Sequence, residues 1–310
     1  MKKIKVFGIV RYSVLTDSLD EGPWAVSNSL SFSDLEKTLF EKSRLLLRFY
    51  LFKKVTLPSL AANLRDWADF RVLVITSVKL PEKSLYELHS LCNQYDFVNV
   101  FSIGVKDGAM DDLINSYIEE EVNKDEVYFT FRIDDDDALA WDYTDIIRPY
   151  LSTHFVDTAI SLPLGYSGFF DPDKQQITLY GETYSSMTAL GLGLISTKNS
   201  KFCHVFDIKA RGGHYKTDRV VPVLLLSAKH AYLRVLHAYG DMYHGKNARM
   251  RSERTRAKTK WAVSKEEIME RVNLPRDFFA EQPTDNQHQK RPIRFMVKHF
   301  LACIIRCFEK

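Results

Sequence analysis

Strand and helix patterns alternate through the first 150 residues, and this order restricts the fold more than any other feature of the chain. Short apolar runs typical of buried strands begin at Ile4, Phe70, Phe97 and Val127, and amphipathic segments with helical spacing separate them. Such an order builds βαβ units, in which helices cover both faces of a mostly parallel sheet. The sequence therefore predicts an α/β fold whose first half, residues 1 to 150, is a Rossmann-type nucleotide-binding sheet flanked by helices.

The pattern changes after Pro149. Short strand-like pieces such as "TAISLPL" and "QQITLYG" alternate with the turn segments "GYSG" and "DPDK". This predicts a mixed or antiparallel extension of the sheet in residues 151 to 245. A helix is predicted from Asp218 to Lys229, although Pro222 lies inside it.

Composition excludes several classes of protein. With 310 residues, 45% hydrophobic and 27% charged, the chain is typical of a globular protein with a large core. A net charge of +3 does not favour nucleic-acid binding. The four cysteines form no disulfide or metal framework, which fits a reducing cytoplasmic location. Lys5 and Arg11 interrupt the first apolar run, which indicates a strand rather than a signal peptide.

The fourth strand, "VYFTFRI", runs directly into four consecutive carboxylates, Asp134 to Asp137. Alternation places Tyr128, Thr130 and Arg132 on one face, and Asp134 continues that row. Ligands of open α/β sheets bind at the carboxyl ends of strands, where these acids lie. Neighbouring carboxylates repel by about 4 kcal/mol per pair at an effective dielectric near 20.

Exposure, protonation, Arg132 or a bound cation could relieve this repulsion. A divalent ion does so best, and oxygen ligands suit Mg²⁺ or Mn²⁺. Alternatively, Asp137 could cap a helix that begins at Ala138, since acids are favoured at helix N-termini. The two common glycine-rich phosphate loops are absent from the sequence, so a bound nucleotide would need another way to neutralise its phosphates.

A hydrophobic strand followed by D-x-D-D-x-L resembles the DxD motif of GT-A-fold glycosyltransferases, and "RIDDDDA" is similar to the signature of a bacterial rhamnosyltransferase family. "RYSV" (residues 11–14), "TLPSL" (residues 56–60) and "LRVLHAYGDM" (residues 233–242) fit the same family. Tyr232 stands where the family usually has Trp. The resemblance covers about residues 1–245 and implies one GT-A-like domain, with a nucleotide-sugar-binding half at 1–150 and an acceptor half at 151–245. The basic residues that follow predict a partly amphipathic helical tail at 246–310.

The resemblance also implies roles for individual residues. The metal, Mn²⁺ or Mg²⁺, would be held mainly by Asp136, supported by Asp137 or Asp135, with His237 as a further ligand. The remaining residues implied at the donor nucleotide are Arg11, Ser13, Arg132 and Asp134, the last facing the ribose.

An inverting transfer needs a general base that deprotonates the acceptor hydroxyl. Candidates are Asp218, which follows Gly212 and Gly213, and Glu182, with His214 able to assist. Each acid also has an ordinary interpretation, because Asp218 could cap a helix and Glu182 could be a loop acid.

The last residues, 291–310, place apolar side chains on one helical face and basic side chains elsewhere. This pattern is typical of a helix in a membrane interface, although a helix packed on the domain or on a partner would look alike. The basic run 246–260 lacks interleaved aromatics, which favours a solvated or membrane-facing helix over RNA binding.

Together these observations predict a metal-dependent glycosyltransferase of bacterial surface-polysaccharide synthesis, located at the inner face of the cytoplasmic membrane. It would move a sugar, rhamnose on the family resemblance alone, from a nucleotide-diphosphate donor to a saccharide acceptor that could be lipid-linked. The alternatives are a galactofuranosyl- or hexosyltransferase, a metal-dependent nucleotidyltransferase, and a non-catalytic membrane-bound scaffold.

Overall fold

Two β-sheets organise the part of the chain that the structure, a computed structural model, describes: residues 3–16, 31–106, 108–208, 213–240 and 263–281. The strands in chain order are β1 (Ile4–Tyr12), β2 (Ala68–Ser77), β3 (Val98–Ile103), β4 (Tyr128–Asp134), β5 (Ala138–Leu139), β6 (Thr158–Ser161), β7 (Leu164–Asp171), β8 (Gln176–Tyr184), β9 (Gly193–Ser196), β10 (Val223–Leu225) and β11 (Tyr232–Leu236).

The larger sheet has the strand order β10-β6-β9-β4-β1-β2-β3, and the smaller sheet has the order β5-β11-β7-β8. Strand β1 pairs in parallel with both β2 and β4, and β2 pairs in parallel with β3. Strand β9 is antiparallel to β4 and to β6. The predicted α/β fold with a parallel first half and a mixed extension is therefore confirmed.

Helices flank these sheets. They are α1 (Phe32–Leu39), α2 (Lys42–Leu51), α3 (Leu57–Ala61), α4 (Glu82–Cys92), α5 (Ala109–Glu121), α6 (Tyr143–Ile147) and α7 (Lys265–Val272). A π-helical turn, Phe52–Thr56, joins α2 to α3 without a break. Pro58 is the second residue of α3, directly after the π-helical turn, and it lacks the backbone N–H that a hydrogen bond to the preceding turn would need.

Alternation along β4 divides its side chains between two cores. Phe129, Phe131 and Ile133 are buried in one cluster, together with Val6 of β1. Tyr128 is buried in the cluster on the opposite face. Because Arg132 and Asp134 follow Tyr128 in the second row, they are carried to the carboxyl edge of the sheet on that face.

The prediction of a helix from Asp218 to Lys229 is wrong. A short 3₁₀ turn, His214–Arg219, leads instead into the edge strand β10. Pro222 explains the difference, because proline interrupts a helix but is tolerated beside a sheet edge. Its carbonyl oxygen accepts a hydrogen bond of 2.9 Å from the backbone N–H of Ala159 at the start of β6.

Part of the predicted tail belongs to the folded core. Ile268 and Val272 of α7, and Phe278 after it, are buried in the cluster that covers one face of the smaller sheet. The domain therefore includes residues 263–281, whereas 246–262 and 282–310 lie outside the described residues. Among the described residues, no helix is long and apolar enough to cross a membrane.

Strand β9 packs so closely on β4 that Gly193 has no room for a side chain. A Cβ atom there would lie 2.6 Å from the carbonyl oxygen of Thr130 and would overlap the ring of Phe129. We expect Gly193→Ala to lower the free energy of unfolding by about 3 kcal/mol, because a backbone oxygen cannot move aside. Urea unfolding measures the change.

Gly104→Ala is the matched control, because a Cβ atom at Gly104 would have no other atom within 4 Å. A Gly193→Ala protein as stable as the Gly104→Ala protein would contradict the close packing of β9 on β4.

Candidate active site at the aspartate turn

The four carboxylates form a turn, here called the aspartate turn (residues 134–137), that leaves the carboxyl end of β4. Strand β1 ends beside it, since Arg11 pairs in register with Asp134. The turn closes with a hydrogen bond of 3.4 Å from the backbone N–H of Asp137 to the carbonyl oxygen of Asp134. Each of its four side chains has a different environment.

Asp134 is the most exposed of the four, with 34% of its side chain accessible. Its Oδ1 atom lies 3.3 Å from a guanidinium nitrogen of Arg11 and 3.7 Å from one of Arg132. Burial alone would raise the pKa of Asp134, but these guanidinium groups hold it well below its usual range. Asp134 is therefore an ionised carboxylate at the edge of the site.

Asp135 is fully buried and belongs to the framework of the site. The Nε atom of Arg48 donates to both carboxylate oxygens, at 2.9 and 3.0 Å, and Nη2 of Arg48 makes a further short contact with Oδ1. This bidentate pair joins α2 to the end of β4. It leaves Asp135 turned away from solvent, so the supporting metal role considered for it finds no support here.

Asp136 and His237 come together from elements 101 positions apart in the sequence. The Nε2 atom of His237 lies 2.8 Å from Oδ2 of Asp136, and both residues are buried. Arg48 also approaches the same oxygen, at 3.4 Å. Although burial acts to raise it, Arg48 and His237 lower the pKa of Asp136 below its ordinary value.

Asp137 is held by strand β11 and not by a helix. Its Oδ1 atom accepts a hydrogen bond of 2.8 Å from the backbone N–H of Val235. Burial and the neighbouring carboxylate of Asp136 raise the pKa of Asp137 well above its ordinary value, while Arg234 acts in the opposite direction. The alternative that Asp137 caps the next helix is wrong, because the short strand β5 follows it.

Ser13, expected at the donor nucleotide, is a buried anchor point. Its backbone has a left-handed conformation, with φ of 50°, and its hydroxyl oxygen accepts a hydrogen bond of 3.0 Å from Arg44. Arg44 also donates to the carbonyl oxygen of Leu39 at 2.8 Å. Arg44 and Arg48, one turn apart on α2, thus hold the ends of β1 and β4 respectively.

Arg11 and Arg132 both contact one aromatic ring. The guanidinium carbon of Arg11 is 5.2 Å from the centre of the Phe206 ring, and that of Arg132 is 5.0 Å from it. Both side chains also approach Asp134, as described above. The structure therefore brings together three of the four residues expected at the donor nucleotide, and adds an aromatic residue that sequence reasoning missed.

The turn His214–Arg219 lies near these arginines. Burial, Arg132 and Arg234 together lower the pKa of His214 to about 3, so its imidazole is neutral at pH 7. Tyr215, in the same turn, is electrostatically coupled to both of those arginines. Asp218 is exposed at the other end of the turn.

Glu182, the other candidate base, has a different environment. It is buried, and its Oε2 atom lies 2.8 Å from Nε2 of His230. The His230 ring stacks on Tyr166 with centroids 4.4 Å apart. Tyr166 belongs to the core cluster under α7 and pairs with Glu182 across β7 and β8, so Glu182 lies beside that core.

Asp136 and His237 fit a divalent cation. A carboxylate oxygen and an imidazole nitrogen are ligands that Mn²⁺ accepts, and here they already converge. The Nδ1 atom of His237 has no hydrogen-bond partner among the described residues, and the partly exposed Asp134 stands beside the pair. Asp137 fits less well, because Val235 holds one of its oxygens.

A second group with metal-ligand chemistry lies elsewhere in the described chain. One ligand atom from each of Asp111, His204 and Asp207 falls within 4.8 Å of the others. Oδ2 of Asp207, however, accepts the backbone N–H groups of Cys203 and His204 at 2.8 and 3.2 Å. These bonds cap a local 3₁₀ turn, which gives Asp207 a structural role.

The residues that sequence reasoning missed are mainly arginines: Arg44, Arg48 and Arg234. Arg44 and Arg48 are four positions apart on the same buried face of α2 as Leu51. That spacing could have predicted buried partners for both arginines, because two cations on an apolar face require acidic or polar partners. Arg234 and Phe206 carried no comparable signal in the sequence.

Comparison with known proteins places the chain in a family. The family model described as "Putative rhamnosyl transferase" matches residues 5–249. No curated protein matches the chain.

Among solved structures, the S. aureus protein TarS 1-349 is similar at 14% identity and a TM-score of 0.39, covering 76% of this chain and 60% of that one. The chain thus spans about three fifths of the TarS fragment that it matches. TarS 1-349 in complex with UDP has a TM-score of 0.37 at 14% identity, with coverage of 78% and 62%. The inositol-1-phosphate CTP transferase from T. maritima has 0.30 at 11% identity, with coverage of 80% and 95%. Similarities at these TM-scores carry no argument about ligand or activity.

The buried pair of Arg48 and Asp135 leads to a prediction about stability. Arg48→Met keeps the apolar stem but leaves a buried carboxylate without its cation, so we expect a loss of about 3 to 5 kcal/mol in the free energy of unfolding. Arg71→Met is the matched control, because the Arg71 side chain is 40% exposed beside Asp69 and should contribute less than about 1 kcal/mol. Equal losses in urea unfolding would contradict the framework role of Arg48.

The lowered pKa of His214 predicts that the free energy of unfolding depends on pH. Its folded-state pKa of about 3 lies below the ordinary value of 6.5, so the folded protein resists protonation. The resulting stability is present above pH 6.5 and is lost as the pH falls toward 3. Between about pH 7.5 and pH 5, wild type should lose about 2 kcal/mol more than His214→Gln.

Urea unfolding at both pH values measures the difference. His154→Gln, which removes an exposed histidine, is the matched control. A His214→Gln protein with the same pH dependence as wild type would show that this imidazole titrates normally.

Proposed function

The chain belongs to the "Putative rhamnosyl transferase" family, and on that premise we propose that it transfers a sugar from a nucleoside-diphosphate donor to a hydroxyl group of a saccharide acceptor. The observation that carries the proposal is the grouping of charged side chains at the aspartate turn. Arg11 and Arg132 meet Asp134 where β1 and β4 end, and Asp136 meets His237 two positions further along. This edge of an α/β sheet is where nucleotides bind.

Arginine side chains would replace the glycine-rich loop that the sequence lacks. A guanidinium group presents a rigid fork of N–H donors that matches the oxygens of a phosphate. Arg11 and Arg132 converge within reach of one carboxylate, so they can also converge on one diphosphate. Asp134, ionised and partly exposed, is available to accept hydrogen bonds from the ribose.

Asp136 and His237 would hold a Mn²⁺ or Mg²⁺ ion, with Asp137 behind them. When bound, such an ion acts as a Lewis acid that stabilises the charge of the departing diphosphate. Arg48 keeps the carboxylate of Asp136 ionised and correctly placed, and the backbone N–H of Val235 fixes Asp137.

The transfer breaks the bond between the anomeric carbon and the diphosphate oxygen and forms a bond from that carbon to the acceptor oxygen. The hydroxyl proton passes to a carboxylate, and of the two candidates we favour Asp218. It is exposed on the turn that carries His214 toward the arginines, whereas Glu182 is engaged with His230. Tyr215, exposed on the same turn, offers an aromatic face to a sugar.

Rhamnose as the donor sugar rests on the family description, and a galactofuranosyl or hexosyl donor would suit the same residues. A nucleotidyltransferase is the weaker alternative, because "VRYSV" stands where that class has a glycine-rich basic loop. A lipid-linked acceptor of surface-polysaccharide synthesis, and docking on the inner membrane through residues 291–310, stay predictions. Those residues lie outside the described part of the chain.

Turnover of nucleotide sugars tests the proposal. Purified protein is incubated with a panel of nucleotide-diphosphate sugars that includes a rhamnose donor, with saccharide acceptors, in Mn²⁺ or in EDTA, and release of nucleoside diphosphate is measured. We expect turnover of at least one donor in Mn²⁺ and little in EDTA. Asp136→Ala should reduce it about a hundredfold or more, because the ion loses a ligand.

Asp145→Ala is the matched control, since Asp145 is 42% exposed and pairs with Arg65 on the surface. Asp218→Asn should lower the turnover number about a hundredfold, and Glu182→Gln should leave it near that of wild type. Failure to bind or turn over any nucleotide sugar, with or without metal, would refute the function. If Glu182→Gln lowered the turnover number about a hundredfold and Asp218→Asn left it near that of wild type, Glu182 would be the base.

A further inference from the structure

Alternate side chains on one face of β4 lead to its carboxyl end at the aspartate turn. Tyr128 and Thr130 precede Arg132 and Asp134 on the same face of the strand. The hydroxyl of Tyr128 donates to the carbonyl oxygen of Cys203 at 2.8 Å, and Oγ1 of Thr130 accepts the backbone N–H of Val205 at 3.0 Å. The first half of the row therefore fixes the turn that carries Phe206.

The Phe206 turn is also fixed from within. The carboxylate of Asp207 accepts two backbone N–H groups, and Val205 is buried in the core cluster beside β4. Phe206 packs partly against the same cluster. Contacts that do not involve the two guanidinium groups therefore hold the Phe206 ring in place.

Positive charge is concentrated at this edge of the sheet. Arg11 and Arg132 meet at one carboxylate, Asp134, and their side chains are 9% and 11% exposed. Burial and the nearby Arg11 charge lower the pKa of Arg132 to about 10. The buried Nε atom of Arg132 has no hydrogen-bond partner within the described ranges.

Phe206 stabilises this arrangement without neutralising it. The face of an aromatic ring attracts a cation but offers no hydrogen-bond acceptor that would occupy the N–H groups. Asp134 supplies one negative charge to the two guanidinium groups, and a second carboxylate in place of Phe206 would cancel the positive charge that remains. Two guanidinium groups on one ring are therefore suited to an incoming anion of high charge density.

We propose that Arg11, Arg132 and Phe206 form a subsite that binds the diphosphate of the donor without requiring a divalent cation, with Phe206 as the residue that positions both guanidinium groups. The assignment to the donor rests on the proposed function. On this proposal the diphosphate docks on the arginines first, and an ion that Asp136 and His237 would hold is needed only for the transfer.

Isothermal titration of the full-length protein with inorganic pyrophosphate in EDTA tests the subsite. Wild type should bind, and Arg132→Gln should weaken binding about tenfold or more, because a charge-assisted bond is lost. Phe206→Leu should weaken binding about fivefold with only a small fall in melting temperature, because leucine keeps part of the apolar contact with the core. Phe206→Tyr, which keeps the ring, should bind like wild type. A nucleoside diphosphate should compete with pyrophosphate.

Arg71→Gln, an arginine on the neighbouring strand β2 that pairs with Asp69, is the matched control and should not change binding. Pyrophosphate binding that appears only with Mn²⁺ would overturn the proposal and leave the transferase function intact. The proposal would also be overturned if Arg71→Gln weakened pyrophosphate binding as much as Arg132→Gln does, or if no nucleoside diphosphate competed with pyrophosphate. Arginine-dependent binding without turnover of any nucleotide sugar would instead support the subsite and contradict the proposed function.

Discussion

The bidentate ion pair between Arg48 and Asp135 is the contact on which the rest of the site depends. It joins α2 to the end of β4 with both partners buried, so the backbone of the aspartate turn has one defined position. With Asp135 fixed against Arg48, its neighbour Asp134 lies at the more exposed side of the turn and Asp136 lies against His237. The same arginine also reaches Asp136, which links the framework of the turn to the contact with His237.

Four adjacent carboxylates would destabilise a strand end if they shared one environment, but here each has its own partner. Arg11 and Arg132 balance Asp134, Arg48 balances Asp135, and His237 and Arg48 contact Asp136. Asp137 accepts a backbone N–H and is the member most resistant to ionisation. The protein itself therefore relieves most of the repulsion. Asp134, the most exposed of the four acids, and the buried pair of Asp136 and His237 remain for ligands.

Local patterns predicted the parts of this architecture that depend on local chemistry. Alternation along β4 correctly separated Phe129 and Phe131 from Tyr128 and Arg132, because burial on both faces of a central strand fixes its register. The convergence of Asp136 and His237 was expected only through a family resemblance, and the structure brings them within 2.8 Å.

Contacts between distant segments were not predictable in the same way. The pairing of Arg48 with Asp135 spans 87 positions, and its only local signal was the helical spacing of Arg44 and Arg48. The helix predicted around Pro222 does not form. The segment pairs with β6 instead, and this tertiary contact outweighs its apolar periodicity. The place of Phe206 between two arginines depends equally on the fold.

The position of a bound ion is the most direct test of the whole account. A crystal of the full-length protein soaked with Mn²⁺ and a nucleoside diphosphate would show the metal by anomalous scattering. The account predicts the peak between Asp136 and His237, with the diphosphate against Arg11 and Arg132. A peak at Asp111, His204 and Asp207, with no nucleotide at the aspartate turn, would contradict it.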